Sequence, residues 1–102
     1  MTPEEPKSPV AKVHVCLYIA GASPNSVAAL ANLRIALAPF SDQFVAVQII
    51  DVLVDPQRGL RDGILITPML VRTEPLPERR ILGNLSDRVT LLSALGLAES
   101  PS

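Results

Sequence analysis

Apolar side chains at Val13, Val15, Leu17 and Ile19 alternate with His14, Cys16 and Tyr18, and this period of two predicts a strand over residues 12–20. Gly21-Ala22-Ser23-Pro24-Asn25-Ser26 then reads as a turn that opens a helix. Ser23 is placed to accept a hydrogen bond from a first-turn amide, and Pro24 sits where no donor is needed. Val27, Leu30, Leu33 and Leu37 recur at helical spacing, which predicts the apolar stripe of that helix, and Pro39 stops it. From Phe44 to Val54 only Gln48 and Asp51 interrupt an apolar run, the pattern of a parallel strand covered on both faces. Strand, helix and strand make one βαβ unit with an expected right-handed crossover.

The second half is more broken. Asp55-Pro56 resembles a helix opening, yet Gly59 and Gly63 each cost about 1 kcal/mol against alanine in a helix, so only a short or distorted one is expected. Residues 64–72 form another apolar run containing Thr67-Pro68. Proline cannot donate to a ladder, so this strand lies at an edge or starts at Pro68. Pro75 and Pro77 then precede Arg79-Arg80-Ile81-Leu82, a short strand ended by the turn signal Gly83-Asn84. Ser86 is placed to cap a last helix whose apolar face is Val89, Leu91, Leu92 and Leu95 and which ends near Gly96.

The 102 residues suit one domain spanning 12–98, with proline-broken, polar tails at 1–11 and 99–102. A net charge of −1, no tryptophan, and only Tyr18, Phe40 and Phe44 as aromatics supply neither a phosphate-tracking basic face nor a base-stacking platform, so no nucleic-acid partner is expected. Apolar runs of about eight residues fall short of the roughly 20 that span a bilayer, and no signal peptide is legible; a cytoplasmic protein without a membrane role is expected.

Candidate chemistry is thin. Cys16 is the only cysteine, which excludes an internal disulfide or a Cys-x-x-Cys pair, and its place in the first strand reads as ordinary packing. His14 shares its side of the strand, but two ligands do not complete a metal site. Ser23 and Ser26 have no base beside them, and Asp51, Asp55 and Asp62 lack the dense oxygen spacing of a calcium or magnesium loop. Gly21-Ala22-Ser23 lacks the second glycine and lysine of a phosphate loop. No catalytic residue, metal or cofactor is therefore expected. Arg79 and Arg80 project to opposite sides of their strand, as a partner contact or as solvated charges that discourage edge pairing. Residues 44–48 suit a core strand or, at an edge, a docking surface.

The element order βαβαββα is that of the thioredoxin fold, whose redox cysteines occupy the turn after the first strand. Here that turn carries no thiol, and Thr67-Pro68 falls where such folds place a cis proline facing it. Leu17-Tyr18-Ile19-Ala20-Gly21, Pro24-Asn25-Ser26, Ile50-Asp51-Val52-Leu53, Ile64-Leu65 with Thr67-Pro68, and Arg79-Arg80-Ile81-Leu82-Gly83 before Leu85-Ser86-Asp87 together resemble the KaiB circadian-clock family from about residue 12 to 97.

The resemblance implies a non-catalytic protein that docks on the N-terminal ATPase ring of the hexameric KaiC, then captures KaiA and so removes its stimulation of KaiC phosphorylation. It also implies two folds: an oligomer, usually a tetramer, with a family-specific second half, and a rare thioredoxin-like monomer that binds KaiC. The family's KaiC-facing lysine in the second strand is replaced by Gln48, while the neighbouring Ala46 is kept. These two residues, with Arg79 and Arg80, are the candidate partner contacts. Thr67, Pro68, Gly83, Ala94 and Gly96 are candidate structural or switch positions. Where the family commonly has Gly-Leu-Asp, this chain has Ala94-Leu95-Gly96, and alanine for glycine adds about 1 kcal/mol of helix propensity at a mid-helix site. A bias toward the thioredoxin-like fold is expected. The alternative is a degenerate thioredoxin-like sensor or adaptor in stress signalling, akin to the KaiB-like domain of the clock's histidine kinase, which would compete for KaiC. A thiol enzyme would require an exposed Cys16 of depressed pKa.

Overall fold

The strand predicted first forms as β1, Val13–Ile19, and it is the spine of the molecule because it is buried on both faces. The computed structural model describes residues 12–40 and 44–97; the expected tails, with residue 98, lie outside the described residues. After β1 come α1 (Pro24–Leu37), β2 (Val45–Asp51), α2 (Pro56–Arg61), β3 (Met69–Glu74), β4 (Arg79–Leu82) and α3 (Arg88–Ala94). The sheet order is β2-β1-β3-β4, with β2 parallel to β1 and the other two neighbouring pairs antiparallel. This is the thioredoxin-like arrangement expected from the element order.

Residue parity divides the core. Val13, Val15 and Leu17 face α1 and α3, where they pack with Leu33, Leu70, Leu91 and Leu95. Cys16 and Tyr18 face the other way, against Ile50, Ile64 and Val71. Among the described residues only the six-residue α2 serves that second face, so the smaller cluster is flanked by open surface.

Three sequence expectations need correction. Residues 45–51 are parallel to β1 but lie at the sheet edge, and Val47 and Ile49 are 43% and 38% exposed rather than covered. The buried stripe of α1 is Ser26, Ala29, Leu33 and Ala36, not Val27, Leu30, Leu33 and Leu37. Small side chains let the helix lie close to β1, whereas Leu30 and Leu37 pack at the core's margin and Val27 faces out. In α3 the cap is Asp87 rather than Ser86: its carboxylate accepts from the Thr90 amide at 3.1 Å and the Thr90 hydroxyl at 2.8 Å. That shift turns Val89 outward while Leu91, Leu92 and Leu95 stay buried.

Both short helices end in the same device. At α3, Gly96 takes φ +75°, its amide donates to the Ser93 carbonyl and the Leu97 amide donates to the Leu92 carbonyl. At α2, the Gly63 and Ile64 amides donate to the Leu60 and Gly59 carbonyls, and Gly63 has φ +72°. Each is a Schellman closure in which the residue after the glycine, Leu97 or Ile64, is buried.

Candidate recognition site

The turn after β1 is rigidly tied. Gly21, at φ +57°, donates its amide to the Asp51 carboxylate at 2.9 Å, and the Leu53 amide donates to the same oxygen at 2.9 Å. Ser23 precedes α1 but does not cap it: its hydroxyl donates to Ser26 Oγ at 2.9 Å, and buried Ser26 accepts the Ala20 amide at 3.0 Å. Thr67-Pro68, a cis bond as expected, immediately precedes β3 at the same end of the sheet, and the Pro68 carbonyl accepts the Gly83 amide. No side chain from 20 to 25 is a thiol, and Cys16 is buried on β1, with Sγ 3.5 Å from Gln48 Oε1. In place of a nucleophile this end of the sheet exposes Leu53, Val54, Leu65 and Ile66.

The residues picked out as partner contacts do not form one patch. Ala46 and Gln48 pair with His14 and Cys16 on the edge strand β2, on the α2 side of the sheet. Arg80 pairs with Val71 on that same side but at the opposite edge, and Arg79 pairs with Arg72 on the helix-covered side. Arg80 is also engaged within the chain, donating to Glu78 and to the carbonyls of Gly63 and Asp62.

Among the switch positions, Ala94 is the last residue of α3 rather than mid-helix, which reduces its propensity advantage, and Gly96 occupies the left-handed closure. Sequence reasoning missed Arg72, 8% exposed, which donates to the Ala94 carbonyl at 2.9 Å and the Pro77 carbonyl at 2.7 Å while its Nε is buried without a partner. It binds β3 to the negative end of α3. An arginine directly after the apolar Met69-Leu70-Val71 was the signal for it.

On the open face Tyr18 donates to Asp62 Oδ2 at 2.6 Å, and Arg58 Nε donates to the same oxygen at 2.9 Å. Burial, then the Asp62 bond, pushes the Tyr18 phenol well above its ordinary range. The Tyr18 bond first, helped by Arg58 and Arg61, holds Asp62 below the usual carboxylate value against desolvation. Among the described residues no cluster of three or more His, Cys, Asp or Glu could hold a metal ion, and no helix is long and apolar enough to cross a membrane.

Fold and corner together define a thioredoxin-like domain whose redox turn has no thiol. The KaiB domain family matches residues 16–97. The chain is 48% identical over 81 residues to the circadian clock oscillator protein KaiB of Synechococcus elongatus, covering 79% of each chain, and 45% identical over 91 residues to that of Trichodesmium erythraeum, covering 88% of each. The chain therefore belongs to the KaiB circadian-clock protein family. Its fold is shared with the N-terminal domain of Synechococcus elongatus SasA (TM-score 0.67, 21% identity, all of both chains). Mitochondrial thioredoxin 3 of Saccharomyces cerevisiae is also similar (TM-score 0.68, 14% identity, 84% of this chain and 78% of that one).

Proposed function

We propose that this chain is a non-catalytic, cytoplasmic clock protein that docks in its thioredoxin-like form on a KaiC-type hexameric ATPase and antagonises KaiA-stimulated phosphorylation of that ring. The observation that carries the reading is the corner itself: family membership together with a tied, thiol-free turn ringed by exposed Leu53, Val54, Leu65 and Ile66. Apolar side chains held out by a rigid scaffold suit recognition, and activated-thiolate chemistry has no nucleophile there. Ala46 and Gln48 add a second contact on the β2 edge, with Arg79 at the far edge. Gln48 replaces the charge used by relatives with a neutral amide, so contact there depends less on salt.

Gly96 and Arg72 support a bias toward the thioredoxin-like form, because the first fits a φ of +75° without strain and the second clamps α3 to β3. A protein already in its binding-competent fold escapes the loss of apparent affinity that a rare competent state imposes. The test is a pull-down against KaiC-type ATPases with and without ATP. Nucleotide-dependent retention is expected; failure with every ring offered would leave the adaptor reading in its place.

A further inference from the structure

The open face of the sheet carries a pocket of about 370 Å³ that the docking reading leaves unused. Its sheet side is Cys16 and Val71, and Arg58, Arg61 and Arg80 stand around it. Two carboxylates, Asp62 and Glu78, also border it, so three guanidiniums leave one net positive charge. Asp62 is already engaged: it accepts from Tyr18, Arg58 and Arg61. Glu78 is engaged with Arg80 at 2.8 Å.

The two α2 arginines are held in a particular way. Both donate Nε to Asp62, at 2.9 Å and 3.4 Å, and among the described residues their terminal amino groups have no acceptor. Asp62 thus holds the Arg58 guanidinium closely and the more exposed Arg61 guanidinium loosely, and both side chains border the pocket. Arg80 is fixed across from them by the Asp62 and Gly63 carbonyls. Two neighbouring guanidiniums, one of them already held at 2.9 Å, suit a compact oxyanion, because each planar fork can donate two parallel hydrogen bonds and less side-chain freedom is lost where the fork is oriented beforehand.

We propose that this pocket binds a phosphate-class oxyanion, either free phosphate or the phosphoryl end of a nucleotide, between the amino groups of Arg58 and Arg61. The test is an NMR titration of the full chain, at fixed ionic strength, with inorganic phosphate and with ADP against a chloride control. Saturable shifts confined to residues 58–63 and Arg80 are expected, with a Kd on the order of 1 mM. The Arg61 side chain is 69% exposed, so Arg61→Gln retains the fold; it should weaken binding about 10-fold, with Arg61→Lys intermediate. Tighter binding of ADP identifies a nucleotide end, and equal binding identifies the oxyanion alone. Shifts that never saturate, that appear equally at Arg34 and Arg79, or that Arg61→Gln leaves unchanged would overturn the proposal.

Discussion

The Tyr18–Asp62 hydrogen bond shapes stability at both ends of the pH range. Asp62 titrates below its ordinary 3.8 in the fold, so its contribution is present above that value and is lost as pH falls through the lower folded one. Tyr18 titrates above its ordinary 10.0, so its contribution is intact below pH 10 and is lost as pH rises beyond it. Thermal unfolding across pH should show a plateau with a fall on each flank. Tyr18→Phe should flatten the alkaline fall, soften the acid one, and lower stability between them by about 1 kcal/mol. Arg72 is the other residue on which much rests. Arg72→Ala should cost about 2 kcal/mol in urea unfolding, since it strips two carbonyls of a charged donor, and Arg72→Lys should recover only part. Cys16 was legible as packing because alternation places it in a strand, where a small thiol packs as an ordinary apolar side chain. The Tyr18–Asp62 bond was not, because it joins positions 44 residues apart.

At the scale of elements, all strands and helices were readable from periodicity and punctuation, while their caps and faces were only partly so. Ser23 and Ser86 both lie where a cap belongs, but Ser23 is drawn to Ser26 and Asp87, one residue past Ser86, has the longer reach to Thr90. The α1 stripe was misplaced by one position because leucines outweigh alanines in any hydrophobic pattern, while close helix–sheet packing favours the small residues. The edge position of β2 could not be read at all: an apolar run looks the same whether its neighbour is a second strand or water. The closure of α3 is testable. Gly96→Ala forces a β-carbon onto a φ of +75° and should cost about 1 kcal/mol, whereas Ala94→Gly, at the frayed last residue, should cost less. Equilibrium unfolding of the two variants checks the order.

For the whole molecule, the fold is a small sheet covered well on one face and sparsely on the other, with two edges and one end left for contact. On the proposed reading this thioredoxin-like form is the predominant one, and size-exclusion chromatography with light scattering should return a monomer. Amide NMR should assign residues 69–74 and 79–82 as antiparallel strands and 88–94 as helix. A predominant tetramer with a rearranged second half would contradict it. The order βαβαββα and the thiol-free turn were legible from sequence, since both follow from local pattern. The scatter of Ala46, Gln48, Arg79 and Arg80 over two edges and two faces was not, since it depends on strand order.

The most direct measurement is the association rate between this chain and a KaiC-type ATPase ring immobilised with ATP, followed over a range of chain concentrations. A single phase whose rate rises in proportion to concentration is predicted, because the docking fold is already present. No association, or a slow phase indifferent to concentration, would contradict the account.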